Sequence, residues 1–239
     1  MRFYDSLIIQ KPFVDHSFCA QDFDLGYWRR QQDSTALAGG RGASQKITIE
    51  HEYYVLRHYL RGGLVAHVLK DQYLWTGLQR CRAFQENRII EHAPQLRLPV
   101  PEVIAYRIAK TGFYYRASII SRYIENQGSL ADKLFDARLE PLLWFELGVL
   151  IRRLHRAGIY HADLNANNIL LGVNNDFYLI DFDKAKLMRA DSNQGEKNVQ
   201  RLLRSLRKIE SQQIQRGRAF HFKESDWQQL LAGYAAKQR

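Results

Sequence analysis

From Lys46 to Tyr59 the chain reads KITIEHEYYVLRHY, alternating apolar and polar positions in a stretch rich in β-branched and aromatic residues. That period and composition predict strands. A turn is expected near Glu50–Glu52, and a glycine-rich turn before it in AGGRGASQK, residues 38–46. RGG at 61–63 breaks the pattern again. Over 71–92, DQYLWTGLQRCRAFQENRIIEH, the apolar spacing becomes helical, with Leu78, Cys81, Phe84, Ile89 and Ile90 as inward positions. LPVPEV at 98–103 must run extended, because proline disfavours helical backbone in the residue before it. EVIAYRI and FYYRASIISRYI then predict two strands around an AKTG turn.

The second half changes period. PLLWFELGVLIRRLHRAG is a helical pattern with proline at its start and glycine at its end. NILLGV and FYLIDFD follow as two short strands around a turn at Asn174–Asp176, and NVQRLLRSLRKIE and SDWQQLLAGYAA are again helical. There is no internal repeat and no low-complexity linker. A strand-rich first part thus precedes a helical second part that two short strands interrupt.

Composition adds bounds. At 239 residues, 46% hydrophobic and 25% charged, the chain can bury a core as one large domain or two lobes. Two cysteines provide no disulfide framework, which points to a reducing compartment. The apolar run in MRFYDSLIIQKPF is too short for a signal peptide, and no run is long enough to span a bilayer. The expectation is a cytosolic or peripherally membrane-attached protein. The formal charge of +10 is uneven: from Lys184 to Arg239 thirteen Lys and Arg stand against five Asp and Glu, a net of +8. Such a surface attracts nucleic acid, anionic lipid or an anionic substrate, or is simply a solvated helix face.

Residues 161–170, HADLNANNIL, place a histidine, an aspartate and three asparagines among core-type Leu164, Ile169 and Leu170. Polar groups so anchored need partners. Asp163 and Asn168 lie five residues apart in a loop entering a strand, and Asp181 ends the next strand. Two carboxylates and an amide oxygen suit phosphoryl transfer, which needs a carboxylate to orient the attacking hydroxyl and hard oxygens for Mg²⁺. His161, Asp163 and Asn168 match the H-x-D-x-x-x-x-N catalytic-loop pattern, and Asp181, Phe182 and Asp183 match the D-F-x metal motif. Gly39, Gly40 and Gly42 lie upstream, between strands, where backbone N–H groups can meet phosphates.

In these motifs the chain resembles the protein-kinase-like fold. The resemblance implies a bilobal α+β architecture, with an antiparallel β lobe over 1–123 carrying one long helix, and a mainly helical lobe over 124–239. It implies ATP and Mg²⁺, with Asp163 catalytic, Asn168 and Asp181 on the metal, and His161 and Asp183 in support. Gly40, Arg41 and Gly42 would cover the phosphates, and Ser121 and Tyr123, in the segment around 121–124, would meet the nucleotide base. Glu86 falls where the family keeps the glutamate that steadies a phosphate-binding lysine. The matching strand reads YVLR, so Arg57 stands in the lysine position, a departure because the two cations are not interchangeable. Arg61 and Lys70 are the other candidates.

The acceptor is not a peptide on this reading. Asn165 replaces the lysine that protein kinases keep two residues after the catalytic Asp, and no A-P-E follows DFD. Small-molecule kinases of this fold, including aminoglycoside phosphotransferases, share that truncation and the L-P-V-P-E string. Over nearly the full length, GGRGA, YVLRHYLRGGL, RAFQENRII, LPVPEV, LHRAGIYHADLNANNILL and LIDFDKAKL are similar to the Kdo kinases of the lipopolysaccharide kinase family. That resemblance implies ATP-dependent phosphorylation of the 4-hydroxyl of Kdo in Kdo–lipid A, during lipopolysaccharide core synthesis. It also implies a monomer on the cytoplasmic side of the bacterial inner membrane, touching its anionic leaflet and no nucleic acid. Leu202, Leu203, Leu206 and Ile209, interleaved with Arg201, Arg204, Arg207 and Lys208, form a basic amphipathic helix that either docks at the membrane or packs on the second lobe. The alternatives are a heptose- or aminoglycoside-type kinase of the same fold, and a basic pseudokinase module that binds nucleic acid. The intact Asp163, Asn168 and Asp181 set disfavours the module.

Overall fold

The computed structural model describes residues 5–37, 44–61, 71–93, 98–188 and 194–236. The chain divides into two compact units, one comprising Met1–Glu91 with Pro101–Tyr123, the other His92–Val100 with Ile124–Arg239. Residues 92–100 thus group with the second unit, whereas the sequence division assigned all of 1–123 to the first.

The first unit is built on an antiparallel sheet of β1 (Asp5–Gln10), β2 (Ser34–Ala36), β3 (Ser44–Ile49), β4 (Glu52–His58), β5 (Tyr73–Leu74), β6 (Val103–Thr111) and β7 (Tyr114–Arg122). The strand order is β1-β6-β7-β4-β3-β2, with β5 against β7. Along β3, Gln45, Ile47 and Ile49 are buried and their neighbours less so, the period-2 pattern of a sheet with one core face. Glu50 and His51 both take left-handed backbone (φ 50° and 69°), the sense that matches strand twist in a tight hairpin. They set the register that opposes Ile47 to Tyr54, and Leu56 to Ile120 one strand further on. Phe18, Phe23 and Trp28, the last on α1 (Leu25–Gln31), cover the face made by Ile47, Ile49, Tyr54, Leu56, Ile104 and Ile120.

The helix expected over 71–92 is shorter than its spacing implied. Tyr73–Leu74 pair with Tyr115 and Tyr114, Gly77 takes φ 105°, and α2 begins only at Arg82, running to His92. Aromatic residues drew the first segment into the sheet, and the glycine's backbone is incompatible with a helix that continues through it. The β6–β7 hairpin turns at Gly112 (φ 58°), the last residue of AKTG, and Phe113, because β6 extends through Ala109, Lys110 and Thr111.

The second unit holds α3 (Leu130–Asp136), α4 (Pro141–Arg156), α5 (Gln194–Gln215) and α6 (Glu224–Ala235). Proline opens α4, and Gly158, at φ 70°, follows its end. Among the described residues five short strands accompany these helices, where the sequence pattern showed two. β8 (Asn126–Ser129), β10 (Ile169–Gly172) and β11 (Phe177–Leu179) form one antiparallel sheet, and β9 (Ile159–Tyr160) pairs with β12 (Lys186–Leu187). β8 lacks any apolar alternation in NQGS, so its pairing with β10 had no local signal. α4 and α6 cross where glycine meets backbone. A Cβ on Gly148 would lie 2.7 Å from the Tyr234 nitrogen, and one on Gly233 would lie 2.8 Å from the Phe145 carbonyl carbon.

On α5, Leu202 and Leu206 are fully buried while Arg201, Arg204, Arg207 and Lys208 are exposed. Leu202 and Leu206 thus pack in the core as the packing reading expects, while Leu203 and Ile209 are only partly buried. Among the described residues no helix is long and apolar enough to cross a membrane. Cys81 is buried, Cys19 is exposed, and both are free.

Candidate active site

Three asparagines and a histidine build the loop after β9. Asn165 caps the 3-10 turn Ala166–Asn168 by accepting from the Asn167 and Asn168 N–H groups at 2.9 and 3.2 Å, and donates to the Asp163 carbonyl at 3.0 Å. Asn168 Nδ2 donates to the same carbonyl at 2.9 Å. The Asp163 main chain is thereby held from two side chains, while its carboxylate stays half exposed. With its Nδ2 engaged, Asn168 keeps Oδ1 for a ligand.

His161 ties this loop to the next one. It is 0% exposed; Nδ1 accepts from the Asp163 N–H at 3.2 Å and Nε2 lies 2.9 Å from the Ile180 carbonyl. An N–H can only donate and a carbonyl only accept, so the ring is the neutral tautomer with its proton on Nε2. Burial pushes its pKa below the ordinary histidine range, against the pull of the Ile180 carbonyl, Asp181 and Asp163. Its ring lies 4.7 Å from that of buried Phe182. Asn168 makes the second tie, its carbonyl accepting from the Ile180 N–H at 3.0 Å. Asp181 follows in left-handed backbone (φ 62°), a conformation that turns the chain out of β11 and that aspartate tolerates better than most residues. The register of β9 with β12, Tyr160 opposite Lys186, closes the base of both loops.

A buried polar network fastens the loop to the helices. Asn198 of α5 is 0% exposed; it donates to the His161 carbonyl at 2.7 Å and accepts from the His161 N–H at 3.3 Å. Its Oδ1 also lies 3.0 Å from His155 Nε2, and His155 Nδ1 lies 2.9 Å from the Tyr234 hydroxyl. Burial holds the His155 pKa low as well, with the Arg152 charge adding to the effect. The sequence reading missed Asn198. A signal existed, since Asn198 occupies the register of Leu202, one turn earlier, where the amphipathic pattern asks for an apolar residue.

In the first unit, Arg57 of β4 lies against Glu86 of α2, with Nη2 at 2.5 and 2.6 Å from the two carboxylate oxygens. The Tyr59 hydroxyl donates to Glu86 Oε2 at 2.7 Å. Arg57 is 19% exposed and Glu86 4%, so this pair is largely withdrawn from water and is less screened than a surface pair. Ser121 sits inside β7, opposite Val55 and Val103, and the Tyr123 N–H donates to the Tyr53 carbonyl at 2.9 Å. Lys46 Nζ lies 3.6 Å and 4.3 Å from the Tyr53 and Tyr123 ring centres. Gly40, Arg41, Gly42 and Lys70 lie outside the described residues. Asp183 follows Phe182 in a turn closed by the Ala185 N–H on the Phe182 carbonyl at 2.9 Å.

An amide oxygen and a carboxylate at Asn168 and Asp181 suit a hard cation that takes its remaining oxygens from phosphates and water, as Mg²⁺ does. Among the described residues no group of three His, Cys, Asp or Glu could hold a metal. The α+β architecture and this loop place the chain among kinases of the protein-kinase-like class. A family model, lipopolysaccharide kinase (Kdo/WaaP), matches residues 26–234, and the chain belongs to that family. It is similar to proteins named 3-deoxy-D-manno-octulosonic acid kinase. The Stenotrophomonas maltophilia (strain K279a) protein is 47% identical over 172 residues, covering 72% of this chain and 68% of the relative. That of Xanthomonas euvesicatoria pv. vesicatoria (strain 85-10) is 43% identical over 173 residues, 72% and 69% of the two chains. That of Mannheimia succiniciproducens is 39% identical over 220 residues, 89% of each chain.

Proposed function

We propose that this kinase transfers the γ-phosphoryl group of ATP to the 4-hydroxyl of Kdo on Kdo–lipid A, a step of lipopolysaccharide core synthesis. The observation that carries the reading is Asn168. One residue ties down both the main chain of Asp163 and the main chain beside Asp181, so the base-bearing and metal-bearing loops are fixed to a common point. The name shared by the relatives, 3-deoxy-D-manno-octulosonic acid kinase, supports Kdo as the sugar phosphorylated.

Asp163 orients the sugar hydroxyl and accepts its proton as the hydroxyl oxygen bonds to the γ-phosphorus and the bond from that phosphorus to the β–γ bridging oxygen breaks, releasing ADP. Asn168 Oδ1 and the Asp181 carboxylate would hold Mg²⁺, which when bound would neutralise charge on the phosphates. Arg57, braced by Glu86 and Tyr59, positions the phosphates, with Arg61 and Lys70 as the other basic candidates. Gly40, Arg41 and Gly42 cover them, and the segment around Ser121 and Tyr123 meets the base. His161 acts through the loop, holding the Asp163 N–H, and Asp183 supports the metal loop. The protein works as a monomer at the cytoplasmic face of the inner membrane, drawn to anionic lipid by its exposed cations.

The test is phosphate transfer from labelled ATP to Kdo–lipid A, heptosylated core or an aminoglycoside. Transfer is expected to Kdo–lipid A alone. Asp163→Ala is expected to lower turnover by about 10²–10⁴-fold while nucleotide affinity stays within about twofold. Undiminished turnover by that variant would refute the role given to Asp163.

A further inference from the structure

The second unit puts a cation on its own candidate base. Arg201 of α5 places Nη1 3.2 Å from Asp163 Oδ1, the two side chains being 44% and 53% exposed. A pair that open contributes little to stability. The contact also leaves most of the guanidinium open to a group that arrives with the acceptor. A guanidinium has five N–H donors; one goes to Asp163, and among the described residues no other polar partner takes the rest.

Arg201 also begins no random scatter. Lys197, Arg201, Arg204 and Lys208 are spaced 4, 3 and 4 apart, which places them on one face of α5, and all four are exposed. Apart from the contact with Asp163, none of the four forms an ion pair among the described residues, whereas neighbouring Arg207 is paired with Glu210 and Glu224. At 1.5 Å per residue the row extends about 16 Å, passing the candidate base.

We propose that this row is the acceptor-binding surface and that Arg201 grips the carboxylate of the acidic sugar while touching Asp163, so that the hydroxyl and the base are set at a fixed spacing. Lys197, Arg204 and Lys208 take further anionic groups of the acceptor. The inference rests on the acceptor class proposed above.

The experiment compares Kdo–lipid A with the same acceptor methyl-esterified at the Kdo carboxylate, for the unaltered protein, Arg201→Gln and Arg201→Lys. The unaltered protein should favour the acid by about 10–100-fold in kcat/KM, the range of a charge-assisted hydrogen bond. Arg201→Gln should lose that preference to within about threefold, mainly through acceptor KM with the KM for ATP unchanged. Arg201→Lys should restore part of it. An Arg201→Gln protein that still prefers the acid, or that loses only kcat or ATP affinity, overturns the assignment; the latter result would place the guanidinium on the transferred phosphoryl group instead. Absence of transfer to Kdo–lipid A by the unaltered protein would sink the acceptor reading itself, and this inference with it, and is distinguishable from both.

Discussion

Asn198→Leu removes the side chain that joins α5 to the loop at His161 while keeping a similar volume. Two buried donors then lose their acceptor: the His161 N–H at 3.3 Å and the Nε2–H of His155 at 3.0 Å. The His161 carbonyl loses Asn198 but retains the Leu164 N–H at 3.2 Å, so it is not left bare. Each orphaned donor costs about 1–3 kcal/mol, so the substitution should destabilise by about 2–6 kcal/mol, a large share of the roughly 5–15 kcal/mol that holds a domain together. Urea unfolding monitored by tryptophan fluorescence measures it, with Trp144 and Trp227 buried in the same unit. Turnover measured at a temperature where the variant is still folded should fall as well, since His161 then holds Asp163 from a less constrained main chain. A loss of stability below about 1 kcal/mol would refute the reasoning, because it would mean that the network carries no net free energy.

Gly148→Ala and Gly233→Ala should each destabilise by about 1–3 kcal/mol despite a gain of up to about 1 kcal/mol in helix propensity. The new methyl groups meet main-chain atoms of the facing helix, which cannot rotate away, and thermal unfolding of the two variants tests this. The acid response is set by three histidines. Burial keeps the folded-state pKa of His58, His155 and His161 below the ordinary value, so below about pH 6.5 the unfolded chain binds more protons than the folded one. Stability should be level above pH 7 and fall as pH drops through 6.5, by up to about 1.4 kcal/mol per pH unit for each histidine until its folded pKa is crossed. Urea midpoints between pH 7.5 and 5.5 would show it; a constant or rising midpoint below pH 6.5 contradicts the assignment.

The parts of this protein readable along the chain are those whose cause is local. The β3–β4 hairpin follows from alternation and two turn residues, and α4 from its apolar stripe with Pro141 and Gly158 at its ends. The spacing of His161, Asp163, Asn168 and Asp181 was enough to suggest a kinase-type loop, because those residues are separated by one turn and one hairpin. Local cues failed where partners were distant. Gly77 and the pairing of Tyr73 with Tyr115 shortened a helix that periodicity alone extended to Asp71. β8 exists because β10 is there to pair with it.

What tertiary structure decided is which polar residues meet. Arg57 and Glu86 are 29 residues apart, His161 and Asn198 37, and Asp163 and Arg201 38. Nothing in a window of ten or twenty residues specifies such pairs. They form once the packing of strands and helices has met the entropy of closing those long loops. The amphipathic stripe of α5 fits docking or packing equally along the chain; the fold buries Leu202 and Leu206 and leaves Arg201, Arg204, Arg207 and Lys208 outside. Sequence determined which groups were on offer; the fold determined their neighbours, and reactivity depends on neighbours.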